Sequence, residues 1–184
     1  MRNLLSSFLE VVELALVAVG AVILIRTFLI QPFLVNGASM IPSFSNGDYL
    51  LIDELTYRFR TPERGEVVVF RNPNDERTFF IKRVIGLPGE TVAVRGNKVA
   101  ITNDEHPNGL TLEEPYLSLG TLTSGNAVLE LREEEYFVLG DNRSYSYDSR
   151  NWGTLQKDNI VGLVRVRLWP LADAEAFAAP RYAD

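Results

Sequence analysis

The chain has 184 residues, which is enough for one globular domain and an additional terminal segment. Its 24 acidic residues outnumber its 18 basic residues, and the formal charge of −6 argues against a nucleic-acid-binding protein. The lack of cysteine excludes disulfides, thiol redox chemistry and cysteine proteases, and a single histidine excludes a multi-histidine metal site. If the protein is an enzyme, its general base is therefore expected to be a residue other than histidine.

The most apolar stretch of the sequence is 11–30, which contains only two charged residues. Twenty helical residues span about 30 Å, the hydrocarbon thickness of a bilayer. A buried core helix would show a polar stripe, which 14–25 lacks, and a cleaved signal peptide would end in a small-x-small site, which is absent before Phe33. The segment predicts a membrane helix, so that 1–31 forms an anchor and 32–184 a separate domain.

After Pro32 the sequence becomes typical of β-strands. Turn residues alternate with short apolar runs, and these runs predict strands within 46–53, 65–70, 77–86, 134–142 and 159–170. The segment 91–102 predicts a hairpin, because two alternating runs flank Gly96-Asn97, a pair that favours a two-residue turn. The region 103–127 is polar and loop-rich. The predicted fold class is mostly β: a membrane helix followed by an antiparallel sheet or barrel-like domain.

Ser39 is the first residue whose surroundings suggest chemistry. It lies within Gly37-Ala38-Ser39-Met40-Ile41-Pro42, directly after the apolar segment. The small residues before it allow close backbone approach, and the proline restricts the conformation that follows. The pattern is consistent with an exposed serine nucleophile near a membrane surface, although an ordinary turn serine is the commoner explanation of such a segment.

Lys82 is the second candidate. On a strand it shares one face with two apolar residues, Phe80 and Val84, and Arg83 lies on the opposite face. Both faces are otherwise apolar, so at least one of the two cations is expected to be partly buried. Burial beside the like charge of Arg83 would lower the pKa of the lysine from roughly 10.4 toward 7 and produce a neutral amine. Two solubilising charges on an edge strand are the competing explanation.

The loop at 140–153 is the third candidate, because it is dense in Asp, Arg, Ser and Gly. Its aspartates and arginines can form ion pairs that hold the loop rigid, and its hydroxyls can orient an amine. A solvated surface loop is the alternative. The single histidine, His106, lies in a hydrophilic, turn-rich segment, which disfavours a Ser-His-Asp triad.

The three candidates support one another. A serine hydroxyl and a neutral lysine amine form a nucleophile and general base, a known variant of the catalytic triad. Such a Ser-Lys dyad fits a chain that has no cysteine and one poorly placed histidine.

Four sequence blocks lie in order behind the apolar segment: SMIPSF (39–44), GDYLLID (47–53), KRVIGLPGE (82–90) and GDNRSYSYDSR (140–150). In content and order they resemble the sequence boxes of bacterial type I signal peptidases. These are membrane-anchored serine proteases that remove signal peptides from exported proteins. The short region between the last two blocks is similar to that of the smaller members, which have one membrane helix.

The resemblance implies that Ser39 is the nucleophile and that Lys82 is the general base, which later returns its proton to the leaving amine. It also implies that the backbone N–H of Ser39 donates to the oxyanion. Some members place a serine two residues before the nucleophile as a second donor. This chain has Gly37 there, so the second donor is left open.

The resemblance also assigns supporting roles in the loop. Ser146 is expected to hydrogen-bond the lysine amine and orient it. Asp148 is expected to form a salt bridge with Arg150, and Asp141 and Arg143 to help shape the same loop.

The implied substrate is the cleavage segment of a preprotein, bound in an extended conformation along a strand edge. Shallow apolar pockets would accept small side chains at the −1 and −3 positions. The residues aligned with pocket-lining positions are Phe33, Val35, Phe44 and Ile81. The apolar surface near Phe33 is expected to meet the bilayer.

The resemblance implies a single-pass protein of the plasma membrane, with a cytoplasmic N-terminus and an extracytoplasmic catalytic domain. Its expected partners are preprotein signal peptides and the lipid bilayer, with no nucleic acid, and the chain is expected to be monomeric. No motif predicts a metal or nucleotide cofactor, and the expected chemistry needs none. The sequence leaves open a bacterial or an organellar membrane.

Three other interpretations fit parts of the pattern. A specialised membrane peptidase would process one conjugation or pilus substrate with the same dyad. Self-cleaving repressors share the dyad, but they carry a DNA-binding domain and need no membrane helix. A non-enzymatic, membrane-tethered β domain would keep the fold without a working dyad.

Overall fold

The computed structural model describes residues 10–20 and 30–180. Residues 10–20 form helix α1, and Ser149–Trp152 forms the one-turn helix α2. The strands are β1 (Ile30–Leu34), β2 (Tyr49–Asp53), β3 (Val67–Asn72), β4 (Asp75–Gly86), β5 (Thr91–Arg95), β6 (Lys98–Thr102), β7 (Leu110–Thr111), β8 (Ala127–Glu130), β9 (Glu135–Leu139), β10 (Leu155–Gln156), β11 (Ile160–Trp169) and β12 (Glu175–Ala176). Short 3₁₀ helices occupy Thr56–Arg58, Arg143–Tyr145, Lys157–Asn159 and Leu171–Asp173.

The strands form two antiparallel sheets. The large sheet has the order β1-β2-β11-β3-β4-β9-β10, with β12 beside β11, and the small sheet has the order β7-β6-β5-β8. The chain passes from one sheet to the other through a turn at 87–90, where Gly89 has a positive φ and the Glu90 N–H donates to the Leu87 carbonyl. The mostly β, antiparallel prediction is therefore confirmed.

The predicted hairpin at 91–102 is also confirmed. Strands β5 and β6 pair with Arg95 opposite Lys98, and both turn residues, Gly96 and Asn97, have positive φ values of 57° and 63°. This is the conformation that a two-residue hairpin turn requires, because its twist matches that of the strands.

The predicted membrane segment 11–30 falls partly outside the described residues, since 21–29 are not described. Ile30 pairs with Asp53 as the first residue of β1, a strand that the sequence analysis did not predict. Within residues 10–20 and 30–180, no helix has the length and apolar character needed to cross a membrane. The division into 1–31 and 32–184 stays a prediction.

The large sheet curls so that its first and fifth strands approach each other. Phe33 on β1 and Phe79 on β4 make an edge-to-face contact with ring centroids 5.6 Å apart, although three strands separate them in the sheet. A core cluster lies inside this curl and includes Val35, Met40 and Phe44 together with strand residues from β2, β3 and β11. The curl therefore brings the segment after β1 over the middle of β4.

Candidate active site

The turn that carries Ser39 is held from both sides. On one side, Gly37 has a φ of +114° and donates its N–H to the Asn46 side chain at 2.9 Å. On the other side, Met40 is buried, and its carbonyl accepts the N–H of Phe44 at 2.9 Å. The N–H of Ser39 has no hydrogen-bond partner in the described part of the chain. The turn thus presents a hydroxyl and an available N–H at the same residue.

Lys82 lies opposite this turn on β4, where it pairs with Val68 of β3. Its Nζ donates to the Ser39 Oγ at 2.8 Å and to the Ile81 carbonyl at 2.8 Å. Only 3% of the residue is exposed, and the amine lies 5.3 Å from the centroid of the Phe80 ring. The structure therefore brings together the two residues singled out as nucleophile and base.

Burial lowers the pKa of Lys82 to about 8, because a buried ammonium loses its hydration. The carboxylates of Asp148 and Asp141 act in the opposite direction and limit this shift. The prediction that the like charge of Arg83 helps to lower the pKa of Lys82 is wrong. Arg83 lies on the other face of β4 and pairs with Asp141, so its charge is neutralised there.

The pair between Arg83 and Asp141 is nearly completely buried and joins β4 to the start of the loop at 140–150. The guanidinium donates to both carboxylate oxygens, at 2.9 and 2.6 Å, and also to the Gly65 carbonyl. The Ser43 hydroxyl donates to the same carboxylate at 2.6 Å. Asp141 therefore connects the loop to Arg83 and Ser43, two contacts that the sequence analysis did not predict.

The expected salt bridge between Asp148 and Arg150 is present, with both guanidinium–carboxylate contacts at 2.8 and 2.9 Å. Asp148 also caps α2 and accepts the Gly140 N–H at 3.1 Å. This carboxylate ties the end of the loop back to its beginning, because Gly140 immediately follows β9.

Arg143 forms its ion pair with a residue outside the loop, Glu114. Its guanidinium is fully buried and donates to both oxygens of Glu114, with the Nη1 contact at 2.8 Å. Its Nε donates to the Gly140 carbonyl at 3.1 Å. The sequence contains no signal for the pair with Glu114, since the two residues lie 29 positions apart in a loop-rich region.

The structure does not contain the expected hydrogen bond between Ser146 and Lys82. The Ser146 Oγ is buried and has no hydrogen-bond partner among the described residues. It lies close to Gly140, where an added Cβ would collide with both the Ser146 Oγ and the Ser39 carbonyl oxygen. Ser146 thus lies beside the turn at 37–44, which we call the nucleophile turn after the predicted role of Ser39, while the amine donates to Ser39 and Ile81.

An open cavity of about 660 Å³ contains Ser39 and Lys82 in its wall. Three of the four predicted pocket residues, Phe33, Val35 and Ile81, line it. Phe44 does not, because it is fully buried in the core and packs against Phe177 with ring centroids 4.5 Å apart. Other lining residues that the sequence did not indicate are Leu34, Asn36, Leu50, Val69, Arg77, Thr78, Phe79, Tyr145 and Tyr147.

The Ser39 hydroxyl, the Lys82 amine and the Ser39 N–H together provide the groups needed for nucleophilic attack on a carbonyl. An amine with a pKa near 8 is substantially neutral at pH 8, and at 2.8 Å it can accept the proton of a serine hydroxyl. An adjacent backbone N–H can stabilise an oxyanion. Among the described residues, no group of three or more His, Asp or Glu side chains is placed to hold a metal ion.

Comparison with known proteins identifies relatives over most of the chain. Residues 8–169 match the family model described as signal peptidase, peptidase S26. The probable signal peptidase I-2 of Synechocystis sp. is 38% identical over 172 residues, which cover 90% of this chain and 75% of that protein. Signal peptidase I of Leptolyngbya laminosa is 39% identical over 155 residues, covering 80% and 72%, and signal peptidase I V of Bacillus subtilis is 35% identical over 161 residues, covering 80% and 91%.

The family match includes the whole nucleophile turn, β4 and the loop at 140–150. The three relatives are at least 35% identical over 80–90% of the chain. The chain therefore belongs to the signal peptidase family, peptidase S26, and is a serine endopeptidase of the signal peptidase I type.

Proposed function

We propose that this chain cleaves the signal peptides of exported preproteins, with Ser39 as the nucleophile and Lys82 as the general base. The observation that supports this proposal best is the 2.8 Å contact between the Ser39 Oγ and a buried lysine amine whose pKa is lowered to about 8. The family of the chain supports the reaction class. The buried amine supports the choice of base.

In the proposed reaction, the Ser39 Oγ attacks the carbonyl carbon of the scissile bond while the Lys82 Nζ takes its proton. The lysine then gives this proton to the leaving amine, and the C–N bond breaks to leave an acyl-enzyme. A water molecule next loses a proton to the same amine and attacks the ester carbonyl. Release of the peptide acid returns the proton to the Ser39 Oγ.

The proposed oxyanion site uses the backbone N–H of Ser39, which has no other partner in the described part of the chain. Loss of one such donor typically lowers the rate by about 10²–10³. Gly37 offers no side-chain donor. In this proposal the second hydrogen-bond donor to the oxyanion is therefore a group other than the side chain of residue 37.

The cleavage segment would bind as an added strand along β4. Strand β3 covers one edge of β4, and β9 pairs with the other edge only from Arg83 onward. On the β9 side, residues 77–82 therefore have no strand partner among the described residues. This edge, β1 and Ser39 border the same cavity. An extended peptide placed there would present alternate side chains to the apolar wall, which includes Val35, Val69 and Ile81 and would accept small groups at −1 and −3.

We further propose a membrane-bound enzyme whose N-terminal segment is the anchor and whose β domain lies on the extracytoplasmic side. Support comes from the apolar composition of residues 11–30 and from the family of the chain. A monomer and the absence of a metal remain parts of the same proposal. Insertion is testable by protease protection of the full chain in sealed membrane vesicles.

The decisive experiment is cleavage of a preprotein by the full chain in detergent, with product mass identifying the cut bond. We expect wild type to cut after an Ala-x-Ala site and both Ser39→Ala and Lys82→Ala to lose activity. Lys98→Ala, which changes an exposed lysine, is the matched control and should cleave normally. Cleavage by Lys82→Ala at the wild-type rate would refute the assignment of the base.

The pH dependence provides an independent test. The amine accepts a proton only when it is neutral, so kcat/KM is expected to rise with pH through an apparent pKa of about 8. A rate that climbs only near pH 10 would contradict a buried base. Several unrelated preproteins should be cut, whereas cleavage of one alone would indicate a specialised peptidase.

A further inference from the structure

The segment 112–126 links β7 to β8 and contacts Arg143, a buried arginine of the loop at 140–150. Arg143 is fully buried, and its guanidinium contacts both carboxylate oxygens of Glu114 and the hydroxyl of Thr123. The Glu114 side chain is itself only 9% exposed, and Thr123 is buried. A buried guanidinium loses its hydration, so this carboxylate is the group that compensates its charge.

Two other arginines near the active site meet the same segment. Arg150, the partner of Asp148, donates to the Ser124 carbonyl at 3.0 Å. The guanidinium of Arg83 lies 4.0 Å from the centre of the Tyr116 ring. The segment therefore contacts all three arginines whose ion pairs surround the loop at 140–150.

Arg143 connects Glu114 to the nucleophile turn. Its Nε donates a hydrogen bond to the Gly140 carbonyl at 3.1 Å. Gly140 in turn packs against the Ser146 hydroxyl and the Ser39 carbonyl, which leave no room for a Cβ. The Asn142 N–H donates to the same Ser39 carbonyl at 2.9 Å. A shift of Arg143 would thus be passed on through backbone contacts to Ser39.

From these contacts we infer that Glu114 is a positioning residue for the nucleophile and base. It anchors Arg143, which holds the loop at 140–146 against the turn that carries Ser39. This inference rests on the proposed roles of Ser39 and Lys82. It assigns a function to a segment that lies outside the four sequence blocks of the family resemblance.

The consequence for Lys82 follows from the groups that surround its amine. Asp141 and Asp148 face it from the loop, and Arg83 lies on the opposite face of its own strand, paired with Asp141. Arg143 in turn lies near Asp141 and Tyr116 in addition to Glu114. If the loop loosens, water reaches the amine, the burial that lowers its pKa is reduced, and the pKa rises toward 10.5.

The test is Glu114→Gln in the full chain, with kcat, KM and the pH dependence of cleavage measured on one preprotein. We expect kcat to fall about 10- to 100-fold, because small misplacements of reacting groups have effects of this size. KM should change by less than about threefold, since Glu114 does not line the cavity. The rising limb of the pH profile should move above pH 8.

Glu113→Gln is the matched control, because it makes the same charge change at the exposed neighbouring residue. Thr123→Val is the second variant: it removes a hydrogen-bond partner of Arg143 at nearly constant size and should shift kcat and the pH limb in the same direction, but less. Labelling of Ser39 by an acylating inhibitor gives the concentration of competent sites, so that unfolded protein is not counted.

The inference would be overturned if Glu114→Gln had the wild-type kcat per labelled site and a pH profile whose rising limb had not moved. This holds even if the variant melts at a lower temperature. The same result in Thr123→Val would overturn it if Glu114→Gln does not fold. Failure of the proposed function is a separate outcome, because it would appear as cleavage that survives in Lys82→Ala.

Discussion

At the scale of single residues, the site depends on a lysine held where an ammonium ion is poorly solvated. Lys82 lies on β4, beside β3 and opposite the turn that carries Ser39. Its amine makes two hydrogen bonds, to Ser39 and to Ile81. Both partners are uncharged, so neither supplies an opposite charge that would favour the ammonium form. The two nearby aspartates are engaged by Arg83 and Arg150, which leaves burial as the dominant effect on its pKa.

This arrangement predicts a cost in stability. The pKa of Lys82 is about 8 in the folded chain and near 10.5 when the residue is exposed by unfolding. Below pH 8 both states carry the charge, and its burial costs about 3 kcal/mol of folding free energy. Between pH 8 and 10.5 the unfolded chain binds more protons, so this group makes the free energy of unfolding rise with pH.

Lys82→Met should therefore be inactive and yet more stable than wild type at pH 7, because methionine fills similar space without a charge. Its free energy of unfolding should lose the rise between pH 8 and 10.5. Urea denaturation at several pH values measures both quantities, with Ser39→Ala as an inactive control that keeps the lysine. Equal stability of Lys82→Met and wild type at pH 7 would show that the charge is not buried at a cost.

At the scale of elements, the site is the junction of one strand with two connecting segments. Strand β4 carries Lys82, the turn after β1 carries Ser39, and the loop after β9 packs against both. The closest approach is at Gly140, which lies between Ser39 and Ser146 with no room for a Cβ. Glycine is required there by contact, since its φ is not in the positive range.

Gly140→Ala should lower kcat/KM by about 10²-fold or more, because the new methyl group must displace the loop or the Ser39 carbonyl. Gly20→Ala is the control, since an added Cβ at Gly20 meets nothing within 4 Å in the described structure. Steady-state cleavage of a preprotein by the two variants makes the comparison. Normal activity of Gly140→Ala would mean that the loop position is unimportant to Ser39.

At the scale of the whole molecule, Glu90 connects the two sheets. It lies at the turn between β4 and β5, and its carboxylate accepts two hydrogen bonds from Arg64, one from the Leu87 N–H and one from the Asn103 side chain. Despite the opposing effect of burial, these donors hold the pKa of Glu90 below its usual value. The carboxylate therefore stabilises the fold above pH 4.5, and this stabilisation is lost as the pH falls through the lowered pKa.

Glu90→Gln should reduce the free energy of unfolding at pH 7 by ~2 kcal/mol, the contribution expected of hydrogen bonds to a charged group. The difference from wild type should shrink as the pH falls below 4.5, because the wild-type carboxyl then becomes neutral too. Denaturant unfolding at pH 7 and pH 3 measures it, with exposed Glu105→Gln as the control. A difference that stays constant with pH would argue against an ionic role.

Features that depend on neighbouring residues were predictable from the sequence. Strand positions followed from alternating runs bounded by turn residues, and the β5–β6 hairpin followed from Gly96-Asn97, because turn conformation is a local property. Strand β1 was not predicted, since an apolar run does not distinguish the end of a helix from a strand that pairs with β2.

By itself, the sequence determined which groups are available for catalysis: with no cysteine and one histidine, Ser39 and Lys82 stood out, and their family resemblance agreed with the family found by comparison. Only the tertiary structure decided which charged groups pair. Asp141 binds Arg83, 58 residues away, and Arg143 binds Glu114, so Arg83 does not contribute to the lowered pKa of Lys82. The physical reason is that ion pairing and burial depend on which segments meet in space, and strand register and sheet curvature set this over distances that no local pattern records.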